Sequence, residues 1–228
     1  MPKWAGSGLA FLQGEARFAL SVLNFYLNGL LPQIWPRLYW SLRYRQVDPW
    51  AYETSEYETR KYAATLHCLP SHQYRRALEV GCAEGVFTQR LAAWGQADSV
   101  LGVDVAEVAV ERAQERLRPA SQVVIRSANI LQVDGLGEFD LIFCAETLSH
   151  MGSYRRLVKM KDRLLSLLEP QGYLVLVDSW PMGRLLHHPF KKDPRFSVLS
   201  ERLEPDAQRP YVIRLLQRRN ECQQNPRA

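Results

Sequence analysis

Two acids and two glycines stand where they could do chemistry together. The stretch Ala77-Leu78-Glu79-Val80-Gly81-Cys82-Ala83-Glu84-Gly85-Val86-Phe87-Thr88 is an apolar run that meets an acid, turns on glycine and enters a helix. A strand–loop–helix junction of this kind leaves backbone N–H groups unpaired and lets a ligand lie close against the main chain. About twenty residues further on, Ser99-Val100-Leu101-Gly102-Val103-Asp104 is a second apolar strand that ends in a carboxylate. In a doubly wound sheet an acid at that place holds ribose hydroxyls. The implied chemistry is capture of a nucleoside cofactor, and a glycine loop plus an acid would also suit a nicotinamide dehydrogenase.

Three details move the reading. Glu79 stands just before the first glycine, Ala83 takes the middle position, and a long N-terminal stretch precedes the first strand. These residues resemble the first motif of class I S-adenosylmethionine-dependent methyltransferases, acid-x-Gly-x-Gly-x-Gly. Ala83 departs from the middle glycine, and its methyl group predicts a backbone that avoids positive φ there. The resemblance implies an α/β fold, a Rossmann-like doubly wound sheet closed by a C-terminal antiparallel hairpin. It implies S-adenosyl-L-methionine as cofactor, with Glu79, Gly81, Cys82 and Gly85 around the methionine part, and Asp104 and Val105 at the ribose. Asn129 and Ile130 would flank the adenine, and Ala145 is a further expected cofactor contact.

The elements that must position these groups follow in order. Thr54 or Ser55 can cap a helix running from about Glu56 to Cys68, with Pro70 beyond its end. Next come strand 76–81, helix 86–94, strand 99–105, and helix 106–118 with Ala109, Ala113 and Leu117 on one face. Ser121 to Arg126 is a β-branched run that leads to Asn129. Phe139 to Glu146 is a fourth strand, and it resembles the family's Phe-Asp-Leu-Ile…Glu motif. A helix from Tyr154 to Leu168, a turn at Glu169-Pro170-Gln171-Gly172, and a strand from Tyr173 to Asp178 complete the repeat. Pro181 to Pro194 reads as a mobile substrate-side loop or short helix. Phe196–Glu204 and Pro210–Arg218 read as the closing hairpin.

The chain has 228 residues and a formal net charge of +5, unevenly placed. Residues 1–50 carry five basic and two acidic residues, residues 51–180 carry 14 and 17, and residues 181–228 carry ten and five. The four cysteines (68, 82, 144 and 222) have no metal or CxxC spacing. That is a reduced, cytoplasmic pattern with no metal site. Residues 9–31 are apolar, but Gln13, Glu15, Arg17, Asn24 and Asn28 argue against a membrane span. Trp35, Tyr39, Trp40 and Tyr44 interleave with Arg37, Arg43 and Arg45. Such a mixture suits a membrane interface, a nucleic-acid backbone, or packing on the chain's own domain. The organisation expected is an amphipathic helical extension at 1–47, a catalytic domain at 48–219 and a polar tail at 220–228.

Asp48-Pro49-Trp50…Tyr57-Glu58-Thr59-Arg60-Lys61-Tyr62, with the glycine loop after it, resembles the nodulation protein S branch over residues 48–219. The resemblance implies a helix that covers the mouth, and a small amine or hydroxyl acceptor of sugar-like or natural-product type. An amine must be neutral to attack and a hydroxyl needs a base. Glu146, His150 and Tyr57 are the candidate catalytic residues, and Tyr52, Tyr57 and Arg60 the candidate acceptor contacts. His187 is a further candidate near the mouth. Two other readings stay open: an RNA methyltransferase, disfavoured because Ala145-Glu146-Thr147-Leu148 is no base-methylation motif, and a non-catalytic scaffold. Residues 1–45 provide a peripheral membrane contact on this reading, and the oligomeric state is left open.

Overall fold

The computed structural model describes residues 18–23, 25–27, 36–205 and 209–220. In chain order the elements are α1 (Pro36–Arg43), α2 (Glu56–His67), β1 (Tyr74–Val80), α3 (Val86–Trp94), β2 (Ala97–Asp104) and α4 (Glu107–Leu117). They continue with β3 (Val123–Ser127), β4 (Phe139–Ala145), a 3-10 turn at Leu148–His150, α5 (Tyr154–Leu167) and β5 (Leu168–Ser179). The short helices α6 (Gly183–Leu186) and α7 (His188–Lys192) precede β6 (Phe196–Glu204) and β7 (Tyr211–Arg218). Residues 18–23 and 25–27 are also helical.

The seven strands form one sheet in the order β3-β2-β1-β4-β5-β7-β6. β1 to β5 run parallel, and β7 lies antiparallel between β5 and β6. The doubly wound sheet with its C-terminal hairpin is therefore as the motifs imply. Strand order reverses at β1, whose neighbours are β2 and β4. Open α/β sheets hold their ligands at the carboxyl ends of strands on either side of such a point.

Residues alternate between two cores because successive side chains on a strand point to opposite faces. Leu78, Val80, Ile142, Cys144, Leu174 and Leu176 belong to one cluster, with Leu157, Met160 and Leu164 of α5. Ala77, Leu141, Phe143, Val175 and Val177 belong to the other, with Phe87 and Leu91 of α3 and Tyr62 of α2. Continuous apolar runs are what a strand buried on both faces requires.

Ser55 caps α2, accepting from the Glu58 N–H at 3.4 Å. Asp48 fixes the approach to that helix: its carboxylate accepts from Tyr52 N at 2.7 Å and Glu53 N at 3.1 Å. The packing decides one expectation and corrects another. Of the two alternatives for residues 181–194, the short helix holds: they form α6 and α7, and Leu186, His187 and Phe190 are fully buried. Gln171 carries a positive φ of 65° inside β5, so the expected turn is a kink within the strand. Residues 1–17 and the tail 221–228 lie outside the described residues.

Candidate active site

The glycine loop is tied down from β2. Gly81 N and Cys82 N both donate to Val103 O, at 2.8 and 3.1 Å. Ala83 N donates to Asp104 Oδ2 and Ala106 N to Asp104 Oδ1, each at 2.9 Å. Asp104 thus fastens the loop and the start of α4 while its oxygens keep further lone pairs for a ligand. Burial raises the Asp104 carboxyl and its backbone N–H donors oppose that. Ala83 adopts φ +50°, against the expectation from its side chain. The Asp104 bond to its N–H holds it in the left-handed region that alanine seldom occupies.

Each glycine does a different task. Gly81 has φ +79°, and a Cβ there would collide with Thr147 Oγ1. Thr147 in turn donates to Val80 O at 2.9 Å, which joins the ends of β1 and β4. Gly85 has φ +77°, and its Cβ would meet Leu117 and Ala113 of α4 at 2.9 and 3.0 Å. Gly81 therefore opens the cleft floor, whereas Gly85 lets two helices approach.

A cleft of about 1090 Å³ lies over these strand ends. Glu79, Gly81, Cys82, Asp104, Val105, Asn129, Ile130, Ala145, Glu146, His150 and Tyr52 all line it. Gly85, Tyr57, Arg60 and His187 do not. Tyr57 donates its hydroxyl to Arg209 O at 2.9 Å, with its ring edge-on to Tyr211. Arg60 reaches Glu56 on the outer face of α2, at 3.6 Å. His187 sits behind β5 against Asp178, Nε2 to Oδ2 2.9 Å, where burial holds the imidazole well below its usual range. Asn129 Oδ1 accepts from Leu131 N at 3.1 Å, a turn that presents the next residues to the cleft.

Five contributors escaped the sequence reading: Lys61, Glu58, Glu84, Trp40 and Tyr44. Lys61 is buried, with Nζ 2.7 Å from Glu58 Oε2 and 2.7 Å from Glu146 Oε2. Glu146 follows β4 with φ +51°, a strained setting for a side chain of its size. Burial raises the Glu58 carboxyl, and Lys61 opposes this. Glu84 is buried, accepts from Asp48 N at 2.8 Å and pairs with Arg112 at 2.5 Å. The only local signal for the Glu58–Lys61 pair was its i, i+3 spacing. Trp40 and Tyr44 of the N-terminal region also line the cleft, and Tyr44 packs on Ala106 and Ala109. Packing therefore runs across the expected boundary at residue 47.

His150 lies at the mouth with its ring edge-on to Trp40, centroids 4.6 Å apart. The crowding cleft walls push its pKa down to about 4, against the pull of Glu146 and with help from Arg43. Glu79 accepts from the Thr88 hydroxyl at 2.6 Å, and burial lifts its carboxyl to about 7. Tyr52 stacks on Trp50, centroids 5.6 Å apart. Among the described residues no cluster could hold a metal ion, and no helix is long and apolar enough to cross a membrane.

Sheet order, reversed β7 and a glycine loop fastened by an acid on the next strand define the class: this is the S-adenosylmethionine-dependent methyltransferase fold. The family model of nodulation protein S (NodS) matches residues 42–181, and the chain belongs to that family. It is 30% identical over 129 residues to nodulation protein S of Azorhizobium caulinodans, 56% of this chain and 61% of that one. The match thus spans less than two thirds of that relative. It is 37% identical over 93 residues to a ubiquinone biosynthesis O-methyltransferase of Methylococcus capsulatus, 40% and 38% of the two chains. The crystal structure of the N-methyltransferase NodS from Bradyrhizobium japonicum with S-adenosyl-L-homocysteine superposes with a TM-score of 0.72 at 21% identity. It covers 81% of this chain and 98% of that one.

Proposed function

We propose that this chain transfers a methyl group from S-adenosyl-L-methionine to a small-molecule acceptor, at an amine nitrogen or a hydroxyl. The observation that carries the reading is the Asp104 carboxylate at the head of a loop whose Gly81 leaves room where a Cβ would strike Thr147. The Azorhizobium caulinodans relative is a nodulation protein S and the Bradyrhizobium japonicum structure an N-methyltransferase, which supports transfer to nitrogen. The O-methyltransferase relative supports a hydroxyl equally.

Asp104 would accept from the ribose diol, with Val105 beside it. Asn129 and Ile130 would bracket the adenine, and Gly81, Cys82 and Ala145 would lie along the methionine part. When bound, the cofactor would supply a methyl group activated by its attachment to a sulfonium sulfur. Ligand pockets run to roughly 1,000 Å³, so a cleft of about 1090 Å³ has space for cofactor and acceptor together. The protein's share is positioning and exclusion of water. Glu146 and His150, both lining the cleft, would be the groups to take the departing proton. A neutral imidazole keeps its lone pair available for that near neutral pH.

Calorimetry with S-adenosyl-L-homocysteine tests the cofactor role. Asp104→Ala removes two charge-assisted ribose bonds, about 1.5–3 kcal/mol each, so affinity should fall at least tenfold. Unchanged affinity overturns the ribose assignment. Labelled methyl transfer into a small-molecule extract and into RNA, run side by side, tests the acceptor class; label in RNA alone overturns it.

A further inference from the structure

The N-terminal region is apolar on two sides. Residues 18–23 and 25–27 are helical, and Val22 and Phe25 pack on the main core. Phe18 lies 4.7 Å under the Arg184 guanidinium. These three residues recur at i, i+4 and i+7, one face of a helix. Leu20, Leu23 and Leu27 recur at i, i+3 and i+7 on another face and are 66%, 54% and 64% exposed. On α1, Leu38 and Leu42 point outward at i and i+4, while Trp40 and Tyr44 line the cleft from the opposite side. Most of the large apolar side chains exposed in the described residues fall between residues 18 and 47.

An uncovered apolar face needs an occupant. Between Glu15 and Asp48 the sequence holds no acid and four arginines, Arg17, Arg37, Arg43 and Arg45. Arg45 is exposed beside Leu42, while Arg43 lines the cleft. A two-fold contact between copies sets a patch against itself, so an arginine-bearing patch would meet its own positive charge. Leucines on one side with arginines and no acids fit an anionic lipid surface, where headgroups take the guanidinium groups and acyl chains take the leucines.

We infer that the described helical parts of this region, residues 18–27 without 24 and residues 36–47, dock this protein on anionic membranes through Leu20, Leu23, Leu27, Leu38 and Leu42, with Arg45 on the headgroups. α1 then has lipid on one face and the cleft on the other, so an amphiphilic acceptor lying in the membrane surface has a short path to the site. The docking does not depend on the proposed activity.

The test is flotation of the full chain with phosphatidylcholine vesicles and with vesicles that also contain phosphatidylglycerol. The protein should float with the anionic vesicles, less so at high salt, and stay in solution with the neutral ones. Leu20→Gln/Leu23→Gln/Leu27→Gln changes only exposed positions, so it should keep its melting temperature and its S-adenosyl-L-homocysteine affinity. Its vesicle partitioning should fall roughly tenfold or more. Leu42→Gln/Arg45→Gln gives the same reading independently on α1. No flotation of the wild type, or flotation of either variant equal to that of the wild type, overturns the inference. So does a dimer in light scattering that the leucine variant dissolves, because the occupant is then a second copy.

Discussion

Lys61 Nζ stands 2.7 Å from the carboxylate of Glu146, 85 residues away in the chain, and also 2.7 Å from that of Glu58 one helical turn before it. One cation thereby joins helix α2 to the end of β4 at the wall of the cleft. Arg209 reaches the other Glu58 oxygen at 3.4 Å and covers the Tyr57 ring at 4.3 Å. The β7 end is drawn into the same cluster.

Removing that cation should destabilise the fold around α2. Lys61→Met leaves two acids facing each other, one of them buried, and loss of one partner of a buried pair costs about 3–5 kcal/mol. For a chain of this size that is on the order of 10 °C in melting temperature. Adding Glu58→Gln should recover part of the loss. A Lys61→Met melt within 2 °C of wild type, taken as about 1 kcal/mol or less, would count against the cluster.

Glu79 makes stability depend on pH. Its folded carboxyl, lifted to about 7, holds a proton through a window in which the unfolded chain has released it. The folded state binds more protons there, so stability falls as pH rises from about 4.5 to about 7, by roughly 3 kcal/mol. Glu79→Gln keeps an oxygen for the Thr88 hydroxyl and should flatten that part of the curve. Urea denaturation of both proteins at the two ends of the window measures the difference.

The two loop glycines should fail differently. Gly85→Ala forces a left-handed alanine against α4, at about 1–3 kcal/mol of backbone strain before the clash is counted. It should lower the melting temperature and leave the affinity of the folded protein for S-adenosyl-L-homocysteine near wild type, because Gly85 is off the cleft. Gly81→Ala strikes Thr147 and should cost affinity as well. Equal affinities for the two variants in calorimetry would contradict this division.

His150 should titrate near pH 4 rather than near 6.5 in an NMR titration of its ring protons. Its folded pKa is the lower one, so the unfolded chain binds the extra proton first, and stability falls as pH drops from about 6.5 toward 4. Tyr57→Phe, in contrast, loses one hydrogen bond to Arg209 O, about 0.5–1.5 kcal/mol. Its cofactor affinity should not move, since Tyr57 stands outside the cleft.

The sequence by itself determined the strand–loop–helix units, the Ser55 cap, the hairpin and the pairing of the glycine loop with Asp104. These rest on local rules: strand and helix periods, capping chemistry, and an acid at a fixed distance from a loop. The left-handed Ala83 went the other way, because a bond from Asp104, 21 residues off, overrides a local preference. Only the tertiary structure decided that His187 is buried behind β5, that Tyr57 braces Arg209, and that Trp40 and Tyr44 wall the cleft. It also decided that Lys61, which in the sequence looks like any helix-surface lysine, is desolvated between two carboxylates. A residue's charge and type are written in its codon, but its burial and its partner depend on which distant segment folds over it.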